Sequence, residues 1–252
     1  MKFGISGSGN AAHHFAMMLT AAGHEFMQSY SRSGNSFATS FGADYVDHPS
    51  KFSTTLNLVI IAVNDDAIAE VSALSPHDSF VIHVSGMTSM NVLSQPKRGV
   101  VWPVQSLSKQ KSIDYKSMPL LIEASDKIHE VMLRDWFGSV SNQITVADSH
   151  QRSVAHTAAV IANNFVNHLH ALSAQLLEKN NLSFSLLMPI IREEVEKLEK
   201  MSPEEAQTGP ARRGDLQTIY NQLVLLKTDD DVREIYTTIT NSILSKYHDK
   251  KL

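Results

Sequence analysis

Hydrophobic and polar positions change their period once along this 252-residue chain. In its first part, short runs rich in β-branched and aromatic residues recur: KFGIS (2–6), EFMQSY (25–30), LNLVIIAV (56–63), SFVIHVS (79–85), GVVWPV (99–104) and PLLIEA (119–124). Gly, Pro, Asp or Asn stand near most of their ends, as expected of strands. Asn10–Ala22, Asp65–Leu74 and Asp126–Phe137, lying between strands, read as helices. This alternation predicts parallel βαβ units in a doubly wound sheet. From Asp148 onward only the helical period remains. Asp148 with Gln151 fits a capping box. Apolar or small residues at 154, 158, 161, 165, 169, 172 and 176 then repeat at helical spacing, with no Gly or Pro before Pro189. Much of 149–180 is therefore expected to be one helix, roughly 45 Å long at 1.5 Å per residue. Further helices fit 184–200, 216–227 and 230–247, the first carrying Glu193–Lys197 and Glu196–Lys200 as i,i+4 ion pairs. Such a long helix cannot bury its apolar surface alone, so it needs the sheet domain or a second subunit.

Composition narrows the classes of function. The chain is 42% hydrophobic and 19% charged, ordinary for a globular protein with a sizeable core. Its net charge of −4 argues against a nucleic-acid or anionic-membrane surface. Cysteine is absent, which excludes disulfides, thiolate nucleophiles, Fe–S clusters and Cys-based zinc sites. The apolar run 58–63 is far too short to span a bilayer. The first strand begins right after Met1, leaving no visible signal peptide. A soluble cytoplasmic protein is expected.

FGISGSGNAAHHFA (3–16) is a strand, then G-S-G-N-A-A, then a helix, which fits the G-x-G-x-x-G/A dinucleotide fingerprint. Gly7 permits the tight turn, and Gly9 lets the backbone approach a pyrophosphate. Ala12 keeps helix and strand close, and the N–H groups around Ser8, Asn10 and Ala11 face the phosphates. The predicted fold is thus an N-terminal Rossmann domain over 1–147 and an all-α domain over 148–252. An NAD-specific domain usually ends its second strand with an acid. Here the end is SYSRS, and Ser31, Arg32 and Ser33 suit a 2′-phosphate, so NADP(H) is the expected cofactor. Val63 and Asn64, ending the strand 56–63, should border the cofactor cleft, with Asp65 capping the next helix. Ser85 and Gly86 should lie near the nicotinamide, unless they form only a strand-to-loop turn.

Taken in order, the GSGNAA start, SRS, AVNDDAI, HVSG, WPVQ, a long helix with His and Asn, and TGPARRGD (208–215) resemble one group. It is the bacterial family of putative NADP oxidoreductases that pairs a Rossmann domain with a helical domain of unknown function. More distantly, the chain is similar to pyrroline-5-carboxylate reductase, ketopantoate reductase and the 6-phosphogluconate dehydrogenase-like superfamily. The resemblance covers essentially the whole chain. It implies a small-molecule substrate and a homodimer through the C-terminal helices, and it names no substrate.

The resemblance sets WPVQS (102–106) facing the nicotinamide. His is common in the family where this chain has Trp102, so Gln105 becomes the main polar candidate, and Trp102 is either a pocket wall or a buried strand end. On the long helix, residues 156, 160, 164 and 168 recur every four positions and place His156, Asn164 and His168 on one stripe. Either a catalytic surface or a polar seam between helices satisfies that stripe, and for His168 the seam is favoured. Related hydroxyacid dehydrogenases carry a catalytic Lys one turn before the Asn, where this chain has Val160. His156 is the substitute proton donor or acceptor. No metal is expected. In TGPARRGD, Gly209-Pro210 makes a turn and Asp215 caps the next helix. Arg213 is then a candidate clamp for a carboxylate or phosphate, against the alternative of a charged surface turn. The expected activity is NADP(H)-dependent hydride transfer at a C=O or C=N carbon of a small anionic metabolite. A non-catalytic dinucleotide sensor is the alternative.

Overall fold

The computed structural model describes residues 1–248 and 251–252. The chain divides into two compact units, Met1–Asn163 and Asn164–Leu252.

The first unit is built on an eight-stranded sheet of order β3-β2-β1-β4-β5-β6-β7-β8. Its strands are β1 (Lys2–Ser6), β2 (Glu25–Tyr30), β3 (Asp44–Tyr45), β4 (Leu58–Ile61), β5 (Val81–His83), β6 (Arg98–Pro103), β7 (Leu120–Ala124) and β8 (Ile144–Val146). The helices interleaved with them are α1 (Asn10–Ala21), α2 (Ser36–Phe41), α3 (Ile68–Leu74) and α4 (Lys127–Gly138). The first six strands run 3-2-1-4-5-6, all parallel, which is the Rossmann order. β7 turns back antiparallel to β6 because a loop, and no crossover helix, joins them. β4 sits at the centre, and its alternate residues feed opposite faces. Leu58 and Ile60 join Phe3, Ile5, Phe15 and Phe137, while Val59 and Ile61 pack with Val71 and Val81. Burial on both faces explains its unbroken apolar run.

The capping box that opens the long helix is formed: the Asp148 carboxylate accepts the Gln151 N–H at 2.8 Å, and the Gln151 side chain accepts the Asp148 N–H at 3.0 Å. The helix is α5 (Ser149–Ala159), a π-helical turn over Val160–Phe165, and α6 (Val166–Glu178). The boundary between the units falls within the π turn. Wider turns there interrupt the four-residue repeat that would align 156, 160, 164 and 168.

The second unit continues with α7 (Met188–Leu198), α8 (Pro203–Ala206), α9 (Pro210–Arg213), α10 (Leu216–Leu225) and α11 (Asp230–His248). Glu193 and Lys197 pair at 2.7 Å. Its core is small, centred on Ala211, Ile219 and Leu244. Large apolar side chains such as Phe165, Leu186, Ile190 and Leu225 stay more than half exposed within this chain. Among the described residues, no helix is long and apolar enough to cross a membrane.

Candidate functional site

The carboxyl ends of β1, β2 and β4 enclose a cavity of about 300 Å³. Gly7 forms its floor at φ +124°, where a Cβ would lie 2.1 Å from the Ala62 carbonyl oxygen, so only glycine fits. The Gly7 N–H donates to the Tyr30 carbonyl at 2.8 Å, fixing the turn to β2. Gly9 has ordinary backbone angles, and nothing stands within 4 Å of the position a Cβ would take. That open space lies where a pyrophosphate must approach α1. Asn10 and Ala11 open the helix there, and Ala12 is fully buried beneath them.

Three hydroxyls close into a ring beside this loop. Ser31 Oγ donates to Ser8 Oγ at 2.9 Å, Ser31 and Ser33 hydroxyls meet at 2.7 Å, and those of Ser8 and Ser33 at 3.0 Å. Arg32 stands exposed between its two serine neighbours, and no acid lines that end of β2. Val63 and Asn64 form the far wall, with Ala67, Glu70, Val71 and Leu74 behind them on and before α3. Asp65 opens a 3-10 turn (Asp65–Ala67) and does not cap α3, whose N-cap position is Ala67. The Asp65 carboxylate instead accepts the Ser85 hydroxyl at 2.7 Å. These residues fit a dinucleotide carrying a 2′-phosphate: a floor only glycine allows, room over Gly9, and donors with a guanidinium in place of the usual acid.

Ser85 is tied into the loop that follows β5. Its hydroxyl donates to Asp65 and accepts the N–H groups of Met87 (3.1 Å) and Thr88 (3.0 Å), so it organises the loop after β5. Two residues earlier, His83 is fully buried. Its Nδ1 accepts the Ser85 N–H at 3.2 Å, and its Nε2 has no hydrogen-bond partner among the described residues. Burial first, then the nearby Arg152 charge, pushes its pKa down to about 4.

Gly86 is where three segments converge. A Cβ there would come within 2.4 Å of the His156 ring and 2.9 Å of the Trp102 indole. The His156 and Trp102 rings meet tilted by 50°, with centroids 5.4 Å apart. Trp102, only 9% exposed, is therefore the wall on which the imidazole rests. Gln105, exposed beyond β6, accepts the Ser106 N–H at 3.0 Å through its side-chain oxygen.

In the second unit, Asn164 occupies the π turn and His168 lies exposed on α6. The 208–215 stretch is a short helix between Gly209 (φ +100°) and Gly214 (φ +72°). Asp215 caps α10, accepting the Thr218 N–H at 3.0 Å and the Thr218 hydroxyl at 2.7 Å, which together hold its carboxyl below the usual range. The two arginines part company. Arg212 lies over the Tyr247 ring at 4.0 Å, whereas Arg213 remains exposed with its guanidinium in the field of Asp215.

Sequence reasoning missed two contributors. Lys109, on the loop after β6, donates to the Ser8 carbonyl at 2.9 Å and so reaches the phosphate loop from 101 positions away. Arg152 is completely buried and pairs with Glu123 of β7. No local pattern announces Lys109. Arg152 left one trace, a cation one turn before His156.

Fold and site together define a class: a Rossmann dinucleotide-binding unit followed by a helical unit. The chain belongs to the family described as a domain of unknown function (DUF2520), whose model matches residues 118–243. Its solved relatives include the putative NADP oxidoreductase of Bacteroides fragilis, 34% identical over 97% of this chain and 98% of that one, with a TM-score of 0.86. The reductive aminase of Aspergillus terreus in complex with NADPH and ethyl levulinate shares the fold at 14% identity, covering 99% of this chain and 94% of that one, TM-score 0.74. So does pyrroline carboxylate reductase of Plasmodium falciparum with NADP bound, at 15% identity over 97% and 98%, TM-score 0.61. No curated protein matches the chain.

Proposed function

We propose that this protein is an NADP(H)-dependent oxidoreductase acting on a C=O or C=N carbon of a small anionic metabolite. The hydroxyl ring of Ser8, Ser31 and Ser33 beside Arg32 carries the reading, because it puts donors where an NAD-specific domain puts an acid. The Bacteroides fragilis relative, named for NADP oxidoreduction, supports it. When bound, the nicotinamide supplies or accepts the hydride. The chain's own residues do the rest. Gly7, Gly9 and the first turn of α1 seat the pyrophosphate. His156, held against Trp102, gives or takes the proton, since an imidazole can do either. Gln105 orients the substrate, and in the second unit Asn164 and Arg213, the arginine not stacked on Tyr247, are the polar and cationic groups that suit a small anionic substrate.

Residues 148–252 form the substrate and dimerisation domain in this reading. A second copy of the chain covers the apolar side chains left exposed on its helices, together with an apolar cavity of about 370 Å³ lined by Leu169, Leu172, Ile235 and Ile239. Light scattering on the purified chain then returns a dimer mass. The lack of cysteine suits the reducing cytoplasm.

The test is calorimetric titration with NADPH and NADH on the native chain and Arg32→Ala. NADPH binds the native chain more tightly. The mutation weakens NADPH by roughly 10- to 100-fold, the worth of a hydrogen bond to a charged group, and leaves NADH nearly unchanged. Preference for NADH refutes the role of Arg32, and binding of neither nucleotide refutes the cofactor. With a substrate found by screening keto acids and cyclic imines with NADPH, His156→Ala loses turnover while NADPH affinity persists. Tight NADPH binding without turnover of any candidate instead describes a sensor.

A further inference from the structure

Arg152 is the largest side chain that the fold buries completely, and it lies one helical turn before His156. A buried guanidinium is costly unless its charge and its donors are matched. Here they are largely matched: Nη1 donates to the Glu123 carboxylate, and Nη2 donates to the Thr88 carbonyl and to Ser149 Oγ. Ser149 Oγ donates to the same carboxylate at 2.8 Å and accepts the Met90 N–H at 3.1 Å. α5 is thus tied through one ion pair to β7 and to the loop 87–90. The same loop begins at Gly86, against which the His156 ring packs.

We propose that the buried Arg152–Glu123 pair is the positioning device for His156, holding the imidazole on Trp102 and setting the charge under which it ionises. This rests on the reading of His156 as the proton-handling group. The guanidinium binds the Thr88 carbonyl, two residues from Gly86, whose Cβ position lies 2.4 Å from the His156 ring, so the charges of the pair act on the imidazole. The intact pair is neutral overall. Without Arg152, the Glu123 carboxylate is uncompensated and favours the imidazolium. Without the Glu123 charge, the guanidinium opposes it. Other charged or titratable groups on these elements are His83, which feels the Arg152 charge, Asp65, joined to Ser85, and Asp148 and His150 at the start of α5. Trp102 and Gly86 carry no charge. All of these are unchanged between the variants that decide the question.

The experiment uses the full chain in a Trp136→Phe background, which leaves Trp102 as the only tryptophan. A protonated imidazole in ring contact quenches indole emission far more than a neutral one, so emission against pH reports the ionisation of His156. His156→Gln abolishes that titration; a titration that survives it overturns the assignment. The midpoint rises by roughly half a unit or more in Arg152→Met and falls by a similar amount in Glu123→Gln. In the double variant it returns to within a few tenths of a unit. Midpoints that stay fixed, or move the same way in both single variants, overturn the proposal. If Arg152→Met does not fold, Arg152→Lys and Glu123→Gln decide: Lys keeps the midpoint and Gln lowers it, and any other pattern overturns the proposal. Neither cofactor nor substrate enters the titration. Its failure removes the role of the pair, whereas full turnover by His156→Ala removes the catalytic reading.

Discussion

Acid stability offers a direct test of the buried ring at the end of β5. His83 is fully buried, its Nδ1 already accepts the Ser85 N–H, and its pKa falls from 6.5 to about 4. Protonation would charge a ring taken out of water, put it near Arg152, and turn an accepting nitrogen into a donor facing another donor. The Ser89 backbone and, less strongly, Asp65 oppose the shift and are outweighed. Because the folded pKa lies below the unfolded one, the unfolded chain binds the proton more readily. The contribution of neutral His83 is therefore complete above pH 6.5 and is lost as pH falls toward 4. A shift of this size corresponds to about 3 kcal/mol over the whole window, of which about 2 are lost between pH 7.5 and 4.5. His83→Asn removes the titration while keeping an oxygen near Nδ1 to accept the Ser85 N–H. The assay is urea unfolding at several pH values, followed by the emission of Trp102 and Trp136, both in the first unit. The variant has a lower stability at neutral pH and a shallower decline on acidification, and the difference between the two proteins cancels the other titrating groups. Parallel stability curves, with the difference constant to within about 1 kcal/mol from pH 7.5 to 4.5, refute the reasoning.

Gly86→Ala places a methyl within 2.4 Å of the His156 ring. It lowers turnover strongly, displaces the imidazole from Trp102 as seen in indole emission, and leaves NADPH affinity within a few fold. Ser31→Ala opens the hydroxyl ring and weakens NADPH about 3- to 10-fold in calorimetry, the worth of one neutral hydrogen bond, while NADH is unaffected. Asp148→Ala removes the capping box of the long helix and costs about 1 kcal/mol in urea unfolding.

The sequence was sufficient wherever chemistry is local. The parallel part of the sheet, the strand-turn-helix around Gly7 and Gly9, the cap at Asp148 and the cap at Asp215 depend on neighbours within a few residues, and each left a readable pattern. The Ser31, Arg32 and Ser33 cluster was legible for the same reason, since one strand end supplies all three. What depends on distant neighbours was decided only by the tertiary structure. β3 and β8 are two- and three-residue edge strands, too short to show a period. β7 runs antiparallel because no helix intervenes, a matter of what lies between strands and not of their residues. The π turn at 160–165 interrupts a repeat that looks unbroken on paper. Asp65 read as a helix cap and Ser85 as a strand-end residue, yet they bond to each other across 20 positions. Glu123 and Arg152 stand 29 positions apart, and no local pattern joins them. Only the closed fold takes Arg152 out of water, and a buried charge must then find its opposite, here Glu123. A sequence records which groups are available. Which of them lose their water, and must therefore pair, is settled when the chain closes on itself.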